Sequence, residues 1–322
     1  MKLGVFSVLL RELPFERMLD VLAELGVEAV EIGTGNYPGS QHCDADALLA
    51  DPAKADAFRK AVEGRGMLVS ALSQHGNPLH PRADIAAAAH EVWRKTVLLA
   101  EMLEVPLVNA FSGCPGDSDG SRYPNWATCA WPDDFLRVLD WQWNEKVIPY
   151  WTTEAAYAQE HGVGIGIEMH PGFVVYNTET LLRLRAACGE AVGANLDPSH
   201  LFWQGMDPVE VIKVLGREYA LFHVHAKDTQ IDKRNTAING VLDTKRYGDL
   251  LERSWVFRTV GYGQGEKVWR DIISTLRAVG YDYVLSIEHE DSYLSIDEGL
   301  RRGIQTLRSI LITEPTGQMW WA

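Results

Sequence analysis

Acidic and imidazole side chains recur in four apolar segments in the second half of the chain. Glu168 lies in VGIGIEM, Asp197 in VGANLD, His225 in LFHVHAK and Glu288 in YVLSIEH. Three carboxylates buried together repel one another unless a cation neutralises them. Oxygen ligands with one imidazole suit Mn²⁺, Mg²⁺ or Co²⁺, and Zn²⁺ also accepts them. These four residues are therefore predicted to bind one divalent metal ion, with Mn²⁺ as the first choice.

Such a site favours proton abstraction next to a carbonyl. The metal would chelate two substrate oxygens and stabilise the charge of an ene-diolate. Glu168 and Glu288 are the candidate base and acid, and a positioned group of this kind contributes about 10²–10⁴-fold to a rate. The ene-diolate could isomerise, epimerise or eliminate a β-leaving group. The identity of the residues does not separate these three outcomes.

Each proposed ligand also has a purely structural explanation. Glu168 could pair with an arginine, Asp197 could cap the turn that follows it, and Glu288 could be a surface carboxylate at a strand end. His223 alternates with His225 on one strand face, and either could be a core histidine. We prefer His225 as the ligand because it lies nearer the C-terminal end of its strand. All four structural explanations would have to hold at once on consecutive strands, which is improbable. A shared site explains the four residues together.

Further polar residues near the strand ends are candidates for substrate binding: His75, Asn109, His170, His200, Lys227 and Arg258. Lys227 could stabilise developing negative charge or pair with the neighbouring Asp228. No glycine-rich loop opens a helix after the last two strands in the manner of a phosphate site. The expected substrate is therefore an unphosphorylated sugar, keto-sugar or glycoside.

Eight short apolar segments must position these side chains. The predicted strands are residues 3–8, 27–33, 67–73, 106–112, 163–169, 192–197, 221–227 and 283–289. Such runs are typical of parallel strands buried on both faces, and segments with helical spacing separate them. Eight units predict an α/β fold, a closed (β/α)8 TIM barrel, with an open doubly wound sheet as the alternative. We expect one domain over residues 1–322 with a C-terminal tail at 313–322.

Two long loops are predicted after strands four and seven, at residues 113–150 and 228–265. Both follow the C-terminal ends of strands, where a barrel builds its active site. The first loop is rich in tryptophan, which is usual in a core but can also stack on sugar or aglycone rings. These residues are Trp126, Trp131, Trp141 and Trp143.

Composition excludes several classes of partner. The formal net charge is −14, from 44 acidic and 30 basic residues. This acidity argues against nucleic acid and against an anionic membrane surface as partners. Four cysteines without a CxxC motif indicate reduced thiols. No apolar run approaches the about 20 residues of a membrane span, and the N-terminus lacks a signal-peptide cleavage pattern. We expect a cytoplasmic protein.

The segments GIEMHPG, NLDPSH and HVHAKD resemble the xylose isomerase-like TIM barrel superfamily, the sugar phosphate isomerase/epimerase family. The resemblance covers nearly the whole chain. It implies a (β/α)8 barrel in which Glu168, Asp197, His225 and Glu288 bind the metal and His200 contacts substrate. In the related ketose 3-epimerases, the two metal-bound glutamates also move protons on opposite faces of the substrate. The superfamily's apurinic endonucleases face a polyanion, which the acidic charge disfavours.

The chain departs from those epimerases at two positions. Val174 and Ile231 stand where the epimerases carry a glutamate and an arginine, so the substrate contacts differ. The tryptophan-rich loop also resembles the large subunit of C-glycoside deglycosidases and enzymes that act on 3-keto-glycosides. Three readings follow: a sugar isomerase or epimerase, a lyase that cleaves 3-keto-glycosides, and a non-catalytic sugar-binding barrel. The tryptophans at 320 and 321 favour a homo-oligomer, or a hetero-oligomer with a small subunit for the deglycosidase type.

Overall fold

A computed structural model describes residues 1–315 and 317–321, and these residues form ten β-strands. The strands are β1 (Lys2–Phe6), β2 (Ala29–Gly33), β3 (Leu68–Ser73), β4 (Leu107–Phe111), β5 (Gly164–Glu168), β6 (Val192–Leu196), β7 (Leu221–Ala226), β8 (Asp228–Ile231), β9 (Trp255–Arg258) and β10 (Val284–Ile287). All eight predicted strands are present, each within one or two residues of its expected start. The additional pair, β8 and β9, lies inside the second predicted loop.

The strands β1 to β7 and β10 close into a barrel in the order β1-β10-β7-β6-β5-β4-β3-β2. Every neighbouring pair in the barrel is parallel. Closure depends on β1 and β10, which pair Leu3 with Leu285 and Val5 with Ile287. This pairing confirms the predicted TIM barrel and rules out the open sheet. Since the strands are parallel, their C-terminal ends all meet at one end of the barrel.

Twelve α-helices occur in the part of the chain that the structure describes. They are α1 (Phe15–Glu24), α2 (Ala45–Leu49), α3 (Pro52–Glu63), α4 (Ala83–Met102), α5 (Asp133–Trp141), α6 (Ile148–Glu160), α7 (Thr178–Cys188), α8 (Pro198–Trp203), α9 (Pro208–Arg217), α10 (Lys233–Asn239), α11 (Glu266–Ala278) and α12 (Ile296–Ile310). A 3₁₀ turn follows β1 at Ser7–Leu10, and a π-helical stretch at Gln142–Val147 joins α5 to α6.

Helix starts follow the sequence signals closely. Asp207 caps α9, because its side chain accepts a hydrogen bond from the backbone of Val209. The cap of α7 is Asn177, and Thr180 completes a capping box with it. Asp197 caps the short helix α8. Asp197 therefore caps the turn that follows it, which was its structural explanation from the sequence. Its second carboxylate oxygen takes no part in this cap.

The hydrophobic core lies between the barrel strands and the surrounding helices. The helix α11 illustrates its construction, since Trp269, Ile272, Ile273 and Leu276 form one fully buried stripe against the barrel. Burying a large apolar side chain of this kind stabilises the fold by roughly 1.5–3 kcal/mol. The barrel interior is polar towards its C-terminal end, where side chains from several strands hydrogen-bond to one another.

The two predicted loops are only partly irregular. Residues 113–132 carry no regular element, but α5, the π-helical stretch and the start of α6 occupy the rest of the first loop. In the second, β8 pairs antiparallel with β9, so that Asp228 faces Arg258 and Ile231 faces Trp255. Both segments stand at the C-terminal end of the barrel, above the strand ends.

The chain ends in an exposed tail, in which Trp320 and Trp321 are 87% and 69% exposed. Thr316 and Ala322, which belong to the predicted tail 313–322, lie outside the described residues. No described helix combines the length and the apolar character needed to cross a membrane.

Candidate metal centre and active site

Four side chains converge at the C-terminal end of the barrel. Glu168 is the last residue of β5, Asp197 follows β6, His225 lies in β7, and Glu288 follows β10. Each offers one ligand atom, and these atoms all lie within 4.8 Å of one another. Three of them are buried, while the Glu288 side chain is 17% exposed. The structure thus brings together the set that the sequence singled out, and metal binding by this set stays a prediction.

Glu168 lies among three imidazoles. Its Oε2 is 3.0 Å from Nε2 of His75 and 3.4 Å from Nδ1 of His225, and its Oε1 is 3.3 Å from Nε2 of His200. Burial raises the pKa of Glu168, but the contacts with His200 and His75 lower it by more than burial raises it. The pKa of Glu168 is therefore well below its ordinary value. Glu168 is therefore an ionised carboxylate, as a metal ligand or a base must be.

Asp197 uses its two carboxylate oxygens differently. Oδ1 accepts a hydrogen bond of 2.8 Å from the backbone N–H of Ser199, which fixes the side chain at the start of α8. Oδ2 lies 3.0 Å from Nζ of Lys227 and 3.3 Å from Nε2 of His200, yet it makes no hydrogen bond within the described residues. One oxygen builds the helix cap and the other is left for the site.

His225 connects the metal centre to a carboxylate deeper in the barrel. Its Nδ1 lies 3.0 Å from Oε2 of Glu288, and its Nε2 lies 3.1 Å from both oxygens of Glu31. Burial lowers the pKa of His225, but Glu31 and Glu288 raise it well above its ordinary value. A proton on Nε2 that is donated to Glu31 leaves Nδ1 directed to the metal centre. A carboxylate in this position fixes the orientation of a ligating histidine.

Glu31 is a functional candidate that the sequence reasoning missed. It is fully buried on β2 and accepts hydrogen bonds from Ser73, Asn109 and Ser286 at 2.5, 2.9 and 2.7 Å. A signal was present, because an acidic residue inside the apolar segment AVEIG must find partners in the barrel. Which partners it finds depends on how distant strands meet.

The other candidate histidine, His223, lies in the same deeper layer as Glu31. Its Nδ1 lies 3.1 Å from Oδ1 of Asn195, and its Nε2 lies 3.2 Å from Oγ of Ser70. Burial lowers the pKa of His223 to about 4, so its imidazole is neutral near pH 7. His225, in contrast, belongs to the group with Glu168, Asp197 and Glu288.

Lys227 supplies a positive charge to the same centre. Its Nζ donates hydrogen bonds to Glu288 at 2.9 Å and to Glu290 at 3.1 Å. Burial lowers the pKa of Lys227, but Asp197 and Glu288 raise it well above its ordinary value, so the side chain is an ammonium ion. The same ammonium, with His225, outweighs the effect of burial on Glu288 and lowers its pKa to about 2.

The suggested pair between Lys227 and Asp228 is wrong. The carboxylate of Asp228 is turned to a different set of donors, the backbone N–H groups of Gly261, Gly263 and Gln264 at 2.9–3.1 Å. Trp269 also donates its indole N–H to Asp228, at 3.0 Å. Asp228 therefore anchors the segment before α11, and Lys227 pairs instead with Asp197, Glu288 and Glu290.

The donor set fits a hard divalent ion. It combines three ionisable carboxylates with one imidazole nitrogen, which is the chemistry preferred by Mn²⁺ or Mg²⁺. Three buried atoms at the centre, Oδ2 of Asp197 and Nε2 of both His75 and His200, have no hydrogen-bond partner within the described residues. Buried polar atoms are normally paired. Oδ2 of Asp197 has only charge contacts, with Lys227 at 3.0 Å and His200 at 3.3 Å, which is consistent with a further contact to a cation.

A cavity of about 290 Å³, the mouth cavity, opens over this centre. Glu168, Lys227 and Glu288 line it on the polar side, and Phe6, Tyr37 and Phe111 contribute aromatic surface. Such a mixture of apolar walls and a few convergent polar groups is typical of small-molecule sites. The cavity therefore joins the candidate metal ligands to a space in which a substrate could bind.

Four of the six predicted substrate-binding residues meet at this cavity or its edge. His75, His170 and Lys227 line the mouth cavity, and His200 contacts His170 with 4.1 Å between the ring centres. Burial and the charge of His200 lower the pKa of His170 to about 3, so His170 is neutral near pH 7. These imidazoles lie beside the proposed ligands as potential hydrogen-bond partners for hydroxyl groups.

The structure does not bring the remaining two to the cavity. Asn109 lies one layer deeper, where its Nδ2 donates to Glu31 at 2.9 Å. The close approach of Asn109 depends on Gly166, since a Cβ at this glycine would collide with Oδ1 of Asn109. Arg258 lies on β9 and forms an ion pair of 3.1 Å with Asp291.

Comparison with known proteins gives the same assignment as the geometry. A sequence profile of the family described as "Xylose isomerase-like TIM barrel" matches residues 19–310. The chain belongs to the xylose isomerase-like TIM barrel family. The uncharacterized protein YfiH of Bacillus subtilis is 38% identical over 314 residues, which cover 97% of this chain and 99% of YfiH. That similarity extends along nearly the whole chain, but it assigns no activity because YfiH is itself uncharacterized.

Solved structures show where else this barrel occurs. D-psicose 3-epimerase from Clostridium cellulolyticum H10 aligns with a TM-score of 0.60 and 16% identity, over 97% of this chain and 99% of the epimerase. The probable 3-DHS dehydratase AsbF from Bacillus anthracis aligns with a TM-score of 0.64 and 16% identity, over 96% and 99%. At this identity the similarity demonstrates the fold alone, and the fold serves both an epimerase and a probable dehydratase.

Proposed function

We propose that this member of the family is a divalent-metal-dependent isomerase or epimerase that moves a proton next to the carbonyl of an unphosphorylated sugar or keto-sugar. The observation that carries the proposal is the convergence of Glu168, Asp197, His225 and Glu288 within 4.8 Å beneath the mouth cavity. Of these four, Glu168 and Glu288 line the cavity itself. The ligand set and the candidate proton carriers thus lie in one place.

The four residues would hold a divalent ion, and Mn²⁺ suits them best. When bound, such an ion supplies Lewis-acid polarisation of a substrate carbonyl. Glu31 keeps the His225 ring oriented towards the centre through its contact with Nε2. Asp197 is held in place by its hydrogen bond from Ser199. The protein therefore fixes its donors in advance of binding.

Glu168 and Glu288 are the proposed proton carriers. Both have pKa values below the ordinary range of a glutamate, so both are carboxylates near pH 7 and can accept a proton. They reach the cavity from β5 and β10, which lie on different sides of the barrel. One carboxylate removes a proton from one face of the substrate carbon. The other takes up a proton from solvent and delivers it to the opposite face, so the two groups exchange roles with each turnover. Lys227, as an ammonium bonded to Glu288, favours negative charge in the same space.

An unphosphorylated substrate follows from the charges around the cavity. Lys227 is engaged by Asp197, Glu288 and Glu290 within 3.1 Å. The acidic groups at the mouth therefore outnumber this lysine, and a dianionic phosphate would meet repulsion there. Phe6, Tyr37 and Phe111 instead offer apolar surface that suits the C–H face of a neutral sugar ring.

A lyase that cleaves 3-keto-glycosides is the second candidate. It would begin with the same proton abstraction and continue with elimination of a β-leaving group. The fold shared with a probable dehydratase supports this reading, as does the departure from the epimerase pattern at Val174. A barrel that only binds sugar remains the non-catalytic alternative.

Proton exchange in deuterated water tests the proposal. The chelator-treated protein is reloaded with Mn²⁺ and incubated in D₂O with a panel of ketoses, keto-sugars and 3-keto-glycosides, and products are read by NMR. An isomerase or epimerase incorporates deuterium at carbon and returns a sugar isomer, whereas a lyase releases the leaving group. The Glu288→Gln variant should lose the exchange. Absence of exchange with every substrate, in protein that retains Mn²⁺, would reject both enzymatic readings and favour the binding barrel.

A further inference from the structure

A second cavity, of about 260 Å³, adjoins the mouth cavity. His170 lines both cavities, and His200 lines the second one. The other walls are mainly aromatic side chains from separate parts of the fold: Trp126, Trp203, Tyr247, Trp255 and Phe257. We call this space the aromatic cavity. Its volume is close to that of the mouth cavity, and the two histidines stand between them.

Two indole N–H groups make the aromatic cavity unlike a core. Nε1 of Trp126 and Nε1 of Trp203 are buried and have no hydrogen-bond partner within the described residues. Trp255 differs, because its Nε1 donates to the carbonyl of Val241 at 3.0 Å. A buried tryptophan N–H usually finds an acceptor, and leaving it unpaired is costly. Both tryptophans line the cavity, so a ligand with hydroxyl oxygens could supply the acceptors that their N–H groups lack.

The aromatic rings are already held in place. Trp203 and Trp255 stack with ring centres 4.6 Å apart and planes 6° from parallel. Tyr247 and Phe257 also stack, at 5.9 Å and 18°. The guanidinium of Arg253 lies 4.5 Å from the ring centre of Tyr247 and 4.7 Å from that of Trp255. These cation–π contacts hold one ring of each stacked pair in place. Preformed flat surfaces of this kind reduce the entropic cost of binding a ring.

The charge of the aromatic cavity selects a neutral ligand. Among the described residues, no lysine or arginine lines it. Its acidic residue, Asp243, is satisfied by the backbone N–H groups of Lys245 and Ser254, at 3.0 and 2.6 Å. An anionic group such as a phosphate would find no free cation there. Hydroxyl groups with an apolar ring face match both the unpaired N–H donors and the aromatic walls.

We propose that the aromatic cavity binds the second sugar ring of a two-ring glycoside whose first ring occupies the mouth cavity. The chemistry at the first ring rests on the proposed function, whereas the binding of the second ring rests on the aromatic cavity alone. A ligand that spans both would pass His170 and His200, whose ring centres are 4.1 Å apart. The substrate class is thus a neutral disaccharide-like glycoside, larger than a free monosaccharide.

Saturation-transfer NMR with the protein loaded with diamagnetic Mg²⁺ tests this assignment, with glucose, maltose, cellobiose and phenyl β-glucoside as probes. At least one disaccharide should bind more tightly than glucose. Trp203→Phe removes an unpaired N–H and keeps a ring, and Tyr247→Ala removes a wall from a side chain that is 57% exposed. Each should reduce the preference for the disaccharide about fivefold to tenfold, as expected for one stacking or hydrogen-bonding contact. Tyr123→Ala, which changes an exposed tyrosine outside the cavity lining, serves as the control.

Equal affinity for glucose and both disaccharides would overturn the second-ring assignment, as would a preference that neither Trp203→Phe nor Tyr247→Ala reduces. Tight binding of phenyl β-glucoside with no disaccharide preference would also overturn it, in favour of an aromatic aglycone. A disaccharide preference that depends on these residues supports the assignment even if the D₂O assay shows no proton exchange. Failure of the proposed function and failure of this inference are therefore separate results.

Discussion

Nε2 of His225 lies 3.1 Å from both carboxylate oxygens of Glu31, and both side chains are fully buried. This contact directs Nδ1 of the same ring to the candidate metal centre, where it lies 3.0 Å from Glu288. We expect Glu31→Gln to weaken Mn²⁺ binding by about 10–100-fold, as loss of a carboxylate behind a ligating histidine typically does. Titration calorimetry and the electron paramagnetic resonance spectrum of bound Mn²⁺ measure the effect.

The neighbouring exposed residue Glu28 offers the matched control. Glu28→Gln removes a negative charge just before β2, and Glu28 does not contact the candidate metal centre. The Mn²⁺ affinity of this variant should therefore equal that of the wild type. A Glu31→Gln variant that is folded by circular dichroism and binds Mn²⁺ with unchanged affinity and spectrum would show that Glu31 does not position His225.

Asp197 caps a helix with one oxygen and faces Lys227 and His200 with the other, and substitution can separate the two roles. Asparagine also caps helices well, so Asp197→Asn should keep the hydrogen bond from Ser199 and preserve most of the stability. The same variant removes a negative ligand, and we expect it to abolish Mn²⁺ binding at concentrations that saturate the wild type. Metal content after dialysis is the measurement.

Asp207 provides the comparison for Asp197, because it caps the next helix in the same way. Its carboxylate accepts from the backbone of Val209 at 2.9 Å, and it lies outside the metal centre. Asp207→Asn should therefore retain full metal content. If Asp197→Asn retained it as well, the ligand assignment as a whole would be wrong.

The fold and the candidate ligands were predictable because both depend on local patterns. Apolar runs alternate with helical spacing, and Glu168, Asp197 and Glu288 each stand at the end of such a run. In a parallel barrel the strand ends meet at one rim, so the order of the strands alone brings these residues together. The preference for His225 over His223 followed in the same way, from which of the two lies nearer the rim.

The deeper layer and the aromatic cavity depend on long-range geometry. Glu31 reaches His225 across 194 residues of sequence. In the barrel, β1 and β10 separate β2 from β7, and only the register of the closed barrel brings these two side chains to the same depth. Trp126, Trp203 and Trp255 lie on three separate segments, and their meeting at one cavity depends on how the long loops fold over the rim. Sequence patterns do not contain this information.

Metal binding should stabilise the folded protein. Glu168, Asp197 and Glu288 are held close together, and a divalent ion between them replaces mutual repulsion with attraction. At a free Mn²⁺ concentration of 100 times Kd, the free energy of unfolding should rise by about 2.7 kcal/mol. Differential scanning fluorimetry should show a Tm that increases with Mn²⁺ and returns to its starting value with excess chelator. A Tm that Mn²⁺ changes equally in wild type and Asp197→Asn would point to binding elsewhere.

The cysteines give a prediction on pH dependence that is independent of the metal. Burial, with a contribution from Asp44, raises the pKa of the Cys43 thiol to about 12, and burial raises that of Cys114 to about 12. Iodoacetamide reacts with the thiolate, and a raised pKa keeps the thiol protonated until the pH approaches 12. At pH 8.5 the exposed Cys129 should therefore be labelled long before Cys43 or Cys114 in the native protein.

Mass spectrometry of labelled peptides measures the order of these reactions. In urea the burial is removed, so Cys43 and Cys114 should react at ordinary thiol rates, and all four cysteines should be labelled without a reducing agent. That result would also support the expectation of reduced thiols. Native labelling of Cys43 as fast as Cys129 at pH 8.5 would contradict the raised pKa and the packing around Cys43, because only a thiol that is open to solvent ionises and reacts so readily.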